Sequence, residues 1–345
     1  MSAKPFIVGL LPSELEQALV AAGHEPYRAR QILRWVYQRG AEDFAQMSDL
    51  PHPLQQELAQ KMSIDPLPEP SQRRARDGSV KLAFGLTGGK AIEAVVMPQD
   101  GRVTACVSSQ VGCAYNCAFC ATGGLGLERN LTPAEIVGQA MRARQASGSR
   151  VSNVVFMGMG EPLANYAAVV KAARIMNHPA GMNIGARHIA ISTCGLPHQM
   201  RRLAGEGLVL HLAVSLNAPD DELRSRLMPI NRRHPVAAVV GAASEYAQRT
   251  GRKISFEYCL LAGINDSPSA AAATARLIRG IPAMVNLINY NQARGGFQRP
   301  RAAAVRAFQR VLQEHGIEVA IRRSFGEEVT AACGQLAAKE VAAGE

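Results

Sequence analysis

Short apolar runs alternate with amphipathic stretches along most of the chain. From about residue 130 onward, each run of strand length is followed by a segment with helical spacing. The expected strands are 151–157, 188–192, 209–215, 254–261, 284–289 and 318–323. The expected helices follow 132–133 and 266 and cover 166–177, 198–204, 236–249 and 301–315. Strands that alternate with helices indicate a parallel sheet, so we expect an α/β fold, a partial or full (β/α) barrel.

The first 65 residues have a helical pattern of their own. Ser13 followed by Glu16 predicts a capping box, and Gly23 predicts the end of that helix. Pro26 opens a second helix that carries arginines outside its apolar face. That basic surface suits contacts with phosphates or, equally, with water. We therefore expect a small helical RNA-binding accessory domain over residues 1–65.

The stretch that follows predicts a linker and then strands. Residues 66–76 are rich in proline and arginine, which is typical of a linker. The expected strands are 80–86, 91–96 and 103–108, and a turn at 87–89 joins the first two into a hairpin. We expect 66–98 to form the linker and hairpin, and 99–345 to form the barrel core with its C-terminal segment.

Three cysteines follow the last of these strands at the spacing C-x-x-x-C-x-x-C. They are Cys113, Cys117 and Cys120. Three thiolates can hold a four-iron cluster and leave one iron open. S-adenosylmethionine (SAM) can chelate such an iron, and one electron then splits its C–S bond to release a 5′-deoxyadenosyl radical. The motif therefore predicts one [4Fe-4S] cluster that binds SAM.

Zinc, core packing and disulfides are the alternatives to a cluster at this motif. A zinc site needs a fourth ligand at short spacing, but the nearest histidines, His52 and His178, lie about sixty residues away. Structural cysteines belong in an apolar stripe, whereas glycine and polar residues surround these three. A disulfide framework is disfavoured by the odd total of seven cysteines and by the lack of an export signal.

Composition limits the binding partners and the cellular compartment that we expect. The net charge of +10 favours a polyanionic partner, most simply nucleic acid, although charge that serves only solubility looks the same. No run of about twenty apolar residues is present, so no membrane span is expected. The N-terminus is too short and too weakly apolar for a signal peptide. Together with thiols that a reducing compartment preserves, this predicts a cytoplasmic protein.

Polar residues at the ends of the predicted strands are candidates for binding SAM. Gly160 and Glu161 follow the strand 151–157, where a carboxylate can hold an ammonium group. Later strands end in small polar residues, namely Ser192, Ser215, Asn217 and Asn291. Each one alone is more often a capping or turn residue. At successive strand ends they would surround the ribose and carboxylate of SAM.

Two cysteines stand apart from the motif. Cys106 lies in the strand before it, and Cys333 lies near the C-terminus among small residues that leave room for a substrate. Both could equally be buried apolar thiols, which is the interpretation we adopt for Cys194 and Cys259. Glu93 lies within a predicted strand and could be a surface carboxylate.

The chain resembles the RlmN/Cfr family of radical-SAM RNA methyltransferases over nearly its whole length. The strings that carry the resemblance are 27–30, the cysteine motif, 129–132, 158–162, 227–231, 263–266 and 331–336. The resemblance implies that the three motif cysteines hold the cluster. It also implies that SAM, used twice per turnover, contacts Gly160, Glu161, Ser192, Ser215, Leu216, Asn217 and Asn291.

The resemblance further implies roles for the remaining candidates. Cys333 would carry the methyl group as S-methylcysteine and become linked to the RNA base. Cys106 would resolve that adduct and leave a Cys106–Cys333 disulfide, which must then be reduced. Glu93 would be the proton acceptor.

The implied substrate is C2 of adenosine 2503 in 23S rRNA, protein-free or early in assembly, with adenosine 37 of tRNA as a second substrate. A flavodoxin or ferredoxin would donate electrons, and the enzyme would be a monomer. Two alternatives stay open: C8 methylation of the same adenosine, as in the Cfr branch, and an iron–sulfur RNA-binding redox sensor without catalysis. Pro162 favours the C2 branch, and Cys333 argues against a sensor.

Overall fold

The structure is a computed structural model that describes residues 4–337. Its helices are α1 (Pro12–Ala21), α2 (Tyr27–Arg34), α3 (His52–Lys61), α4 (Pro133–Ser147), α5 (Tyr166–Asn177), α6 (Pro197–Leu203), α7 (Asp221–Leu227), α8 (Val236–Thr250), α9 (Pro268–Leu277) and α10 (Ala302–Glu314). Its strands are β1 (Ser71–Arg74), β2 (Val80–Leu86), β3 (Lys90–Gln99), β4 (Arg102–Cys106), β5 (Gln110–Cys113), β6 (Gly126–Asn130), β7 (Asn153–Phe156), β8 (Ile189–Thr193), β9 (His211–Ser215), β10 (Ile254–Leu260), β11 (Ala283–Asn289) and β12 (Glu318–Arg322).

Ten strands form one mixed sheet in the order β1-β2-β3-β4-β7-β8-β9-β10-β11-β12. β1 to β4 are antiparallel, whereas β4 and β7 to β12 run parallel. Among the described residues β1 and β12 are unpaired edges, so the barrel is partial and the full barrel is wrong. The antiparallel strands β1 to β3 pair along the side of β4 that β12 would have to meet to close a barrel.

The N-terminal module packs on the core through α4. Buried side chains of the module, among them Ile7 and Ile32, are continuous with those of the sheet. Arg144 of α4 donates hydrogen bonds to the carbonyl oxygens of Tyr37 and Gln38, at 2.5 and 2.7 Å. The helices expected here are present, and α2 continues into a π turn at Trp35–Arg39. The module is thus fixed against the helix that follows the cysteine motif.

Two local predictions in this half of the chain are wrong. The capping box at Ser13 is absent because the helix begins two residues earlier, with Leu11 as its N-cap, and Glu14 accepts a hydrogen bond from the N–H of Leu11 instead. The expected linker 66–76 contains β1, which pairs with β2. β1 is polar and exposed along its length, so it shows no apolar alternation in the sequence.

The C-terminal segment, residues 323–337, lies across both halves of the sheet. The N–H of Gly326 donates to Asp77 before β2, at 2.9 Å. The N–H of Ala121, in the cysteine motif's loop, donates to the oxygen of Gly334 at 2.8 Å. Cys333 therefore sits between the antiparallel strands and the motif. No helix among the described residues is long and apolar enough to cross a bilayer.

Candidate active site

The cysteine motif begins at the end of a tight hairpin. β5 ends at Cys113 and pairs with β6. Gly112 has φ +74°, and a side chain there would collide with the carbonyl oxygen of Gly126. The loop then turns back so that the N–H of Cys120 donates to the oxygen of Cys117 at 3.2 Å. All three motif cysteines line one cavity, the main cavity, at the carboxyl ends of the parallel strands.

The donor set fits a four-iron cluster better than a single metal ion. Within residues 4–337, no three His, Cys, Asp or Glu side chains converge on one point as a mononuclear zinc site requires. A cubane takes each thiolate at a different iron, so its ligands can lie apart. Burial raises the pKa of Cys113 to about 12 and also raises that of Cys117. Bound iron would supply the positive charge that keeps these sulfurs as thiolates.

The Gly-Met-Gly-Glu-Pro loop needs its glycines for packing. The N–H groups of Ser109 and Gln110 both donate to the oxygen of Met159, at 2.8 and 3.2 Å. A Cβ at Gly158 would lie 2.7 Å from the hydroxyl of Ser108, and one at Gly160 would lie 2.5 Å from the Cβ of Gln110. The glycines thus allow the loop to pack closely against the chain that leads into the cysteine motif.

Glu161 is buried at the wall of the main cavity. Its carboxylate accepts hydrogen bonds from the N–H groups of Leu163, at 3.0 Å, and Cys194, at 2.7 Å. Burial raises its pKa, although these N–H donors act in the opposite direction. A cationic ammonium group would be a favourable further partner for this carboxylate.

The other predicted SAM contacts differ in their surroundings. Gly160, Ser192, Ser215 and Asn217 line the main cavity with Glu161. The Asn217 side chain is already engaged, because its oxygen accepts from the N–H of Cys259 at 2.8 Å. Leu216 does not line the cavity: its side chain is buried, and its N–H donates to the oxygen of Glu257 at 3.0 Å.

A buried arginine that the sequence did not indicate fixes these strand ends. Arg224 on α7 is fully buried, and burial lowers its pKa. It donates to the carbonyl oxygens of Leu216, Ser215 and Cys194 at 3.0, 3.0 and 2.6 Å, and to the side chain of Asn231 at 2.9 Å. α7 itself was missed because it is short. Asp220, which caps it just before two acidic residues, is the signal that would have revealed it.

Cys106 and Cys333 line a second cavity, the cysteine cavity, which adjoins the main one. Cys120, Arg322 and Cys333 line both. Burial raises the pKa of Cys106 to about 12, with a smaller contribution from Cys333, while Arg322 acts to lower it. Asn291 also lines this cavity, and its amide donates to the Cys333 carbonyl at 3.2 Å. The structure therefore brings together two thiols from opposite ends of the core.

Two charged residues between the cavities were missed at the sequence level. Glu257 on β10 accepts from the amide of Asn286 at 2.8 Å, and its other carboxylate oxygen lies 3.7 Å from Arg322. The Cys333 sulfur, more than Glu257, raises the pKa of Arg322. Charged residues inside apolar strands are seldom buried without a partner, so Glu257 in β10 was a usable signal.

Each of the seven cysteines lines at least one of the two cavities. This includes Cys194 and Cys259, which the sequence left as simple buried thiols. Glu93, in contrast, lines neither cavity. It is fully buried, so the alternative of a surface carboxylate is wrong.

Family comparisons agree with this geometry. Residues 107–274 match the model of the radical SAM superfamily, and residues 7–64 match that of the ribosomal RNA large subunit methyltransferase N-terminal domain. A Moorella thermoacetica protein named probable dual-specificity RNA methyltransferase RlmN is 48% identical over 99% of this chain and 100% of its own length. The dual-specificity RNA methyltransferase RlmN of Anaeromyxobacter dehalogenans is 45% identical, over 95% of this chain and 91% of its own.

The chain belongs to the RlmN family. The crystal structure of a radical SAM methyltransferase from Sphaerobacter thermophilus superimposes with a TM-score of 0.93 at 44% identity, over 97% of this chain and 100% of that one. The family resemblance and the α/β radical-SAM fold with its N-terminal helices are thereby confirmed. A four-iron cluster and SAM are the cofactors of the superfamily, and the thiols of the main cavity suit the former.

Proposed function

We propose that this RlmN-family protein methylates C2 of an adenosine in RNA through a methyl group carried on Cys333. The observation that supports it best is that Cys333 and Cys106 line one cavity that adjoins the motif cysteines. A redox sensor has no use for a second pair of thiols placed beside its cluster. A methyl carrier and a resolving thiol must lie within reach of each other and of the radical source.

The proposed chemistry assigns a task to each of these residues. When bound, the cluster and SAM supply a 5′-deoxyadenosyl radical. Glu161, Ser192, Ser215 and their neighbours orient SAM beside the motif cysteines. Cys333 receives the methyl group of a first SAM, gives up one hydrogen atom of that group to the radical, and becomes joined to adenine C2 through the remaining CH₂ group. The adduct returns its surplus electron to the cluster. Glu93 accepts the C2 proton of this adduct.

Cys106 then releases the product. Its thiolate attacks the sulfur of Cys333, forming the S–S bond and breaking the S–CH₂ bond. The electron pair of the broken bond stays on the carbon, which takes up a proton and becomes the methyl group. All described cysteines are free thiols, so the disulfide would be a transient product that an external dithiol reduces.

The partners we propose are those of the C2 branch. Adenosine 2503 of 23S rRNA, free of protein or early in assembly, is the main substrate, and adenosine 37 of tRNA is the second. The +10 net charge and the exposed Arg30, Arg34 and Arg39 of the N-terminal module support contacts with RNA phosphates. We also propose a division into 1–65, 66–98 and 99–345, a cytoplasmic monomer, and flavodoxin or ferredoxin as electron donor.

Single-cysteine variants test the chemistry. Anaerobically reconstituted protein is incubated with SAM, a reductant and either rRNA or tRNA transcripts, and the protein and nucleosides are analysed by mass spectrometry. Wild-type protein should carry a methyl group on Cys333 and yield 2-methyladenosine. Cys333→Ala should yield none, and Cys106→Ala should accumulate an RNA–protein crosslink.

Cys259→Ala is the matched control, because Cys259 lines the main cavity with Cys333 but does not line the cysteine cavity, so it should not be needed for release. If Cys259→Ala trapped the crosslink and Cys106→Ala did not, the resolving role would move to Cys259. An 8-methyladenosine product would transfer the enzyme to the C8 branch. An unmethylated Cys333 in iron-loaded protein that yields no methyladenosine would favour the sensor.

A further inference from the structure

Lys81 and Glu93 form a buried ion pair on neighbouring strands. Lys81 Nζ lies 2.8 Å from Glu93 Oε1, and the side chains are 4% and 0% exposed. Lys81 pairs across the strands with Val95, and Glu93 pairs with Ala83, so the ion pair runs diagonally between β2 and β3. Burying two charges costs several kcal/mol per ion unless the geometry is good and further hydrogen bonds are made. Additional partners are therefore expected.

Those partners come from the C-terminal segment on both sides of Cys333. Lys81 Nζ donates to the hydroxyl of Thr330 at 3.2 Å. Glu93 Oε2 accepts from the N–H of Ala337 at 2.9 Å. The pair thus contacts the chain three residues before and four residues after the proposed methyl carrier.

Glu93 also lies beside the cysteine cavity without opening into it. Val95 and Met97 line that cavity, and the two-residue period of β3 puts Glu93 on the same face. Leu336 lines the cavity as well, and the peptide N–H that follows it bonds to Glu93. The carboxylate is therefore one peptide unit removed from the space where Cys333 works.

We infer that Lys81 is a positioning residue for proton removal from the RNA adduct, because it holds the Glu93 carboxylate in place and aimed at the Cys333 segment. The inference rests on the proposed function, in which the C2 proton moves to a Glu93 oxygen and the electron pair of the C–H bond stays in the adduct. Without the ammonium group, the Glu93 carboxylate loses the ion pair that fixes its position, and Thr330 loses its contact with that pair.

A double-mutant cycle with Lys81→Met and Glu93→Gln tests this. Methylation of Cys333 without RNA is measured separately from resolution of the RNA adduct. Lys81→Met should slow adduct resolution at least about ten-fold, as loss of a proton acceptor does, and leave Cys333 methylation within about two-fold. The crosslinked species should accumulate. Since Lys81 acts through Glu93, the double variant should resolve the adduct within about two-fold of Glu93→Gln alone.

The remaining variants distinguish a role of Lys81 through Glu93 from a purely structural role. Lys81→Arg, which keeps the charge, should restore part of the rate, and Lys171→Met, which breaks the part-exposed pair with Glu14, should change nothing. If Lys81→Met slowed Cys333 methylation and adduct resolution equally, Lys81 would only stabilise the C-terminal segment. A double variant about ten-fold slower than Glu93→Gln would show an independent role. Either result overturns the inference.

The double variant keeps the test decisive if Lys81→Met does not fold, because it removes both buried charges together. Failure of the proposed function itself has a different signature. In that case Glu93→Gln would release methylated RNA at the normal rate, or Cys106→Ala would form no crosslink.

Discussion

Replacing Arg224 with methionine should destabilise the protein and weaken SAM binding. The guanidinium is fully buried and makes four hydrogen bonds of 2.6 to 3.0 Å. Three of them end on the carbonyl oxygens of Cys194, Ser215 and Leu216, which methionine leaves without a donor. Each buried orphan oxygen costs about 1–3 kcal/mol. Removing a buried cation also removes its desolvation penalty, which offsets part of this destabilisation. We therefore expect a net loss of about 3–5 kcal/mol in the free energy of unfolding.

Urea denaturation of anaerobic protein measures this loss, and equilibrium binding of SAM to the folded variant measures its effect on the strand ends. Arg226→Met is the matched control, because Arg226 lies on the same helix but is exposed. It should change the unfolding free energy by no more than about 0.5 kcal/mol. A loss below about 1.5 kcal/mol for Arg224→Met would mean that water replaces the guanidinium, and the reasoning would be refuted.

Two further predictions concern the residues that support the site. Gly160→Ala should lower the free energy of unfolding by about 3 kcal/mol, because a Cβ there lies 2.5 Å from that of Gln110. Gly263→Ala, also at positive φ but in open space, should lower it by about 1 kcal/mol, and equal losses in urea denaturation would contradict this. Burial would raise the pKa of Glu135, but Arg129 and the cap of α4 outweigh it, so the pKa is lowered. The stabilisation that Glu135 contributes is thus present above its unfolded pKa of about 4.3 and is lost as the pH falls through the folded pKa. Glu135→Gln should therefore reduce the change of unfolding free energy with pH in that range. Wild type and variant curves that stay parallel would refute the assignment.

Local pattern was sufficient for most of the regular elements. The expected strand 80–86 and helix 166–177 have the bounds of β2 and α5. Hydrophobic periodicity reports which face of a segment is buried, and that face is a property of the segment itself. Elements without such a face were missed, as in the polar strand β1 and the short helix α7.

The sequence by itself determined the cofactor chemistry. Three cysteines at fixed short spacing are ligands wherever the loop lies, because the spacing alone brings them to one cluster. The resemblance to the RlmN family added roles for distant residues, and these roles could not be derived from spacing.

Only the tertiary structure decided which charges are buried and which thiols meet. Arg224 and the pair Lys81–Glu93 look like ordinary surface charges in the sequence, yet each is buried with its partners. Cys106 and Cys333 come together because the C-terminal segment folds back over the first strands of the sheet. Burial and pairing of this kind depend on contacts between residues far apart in the chain, and no local pattern records them.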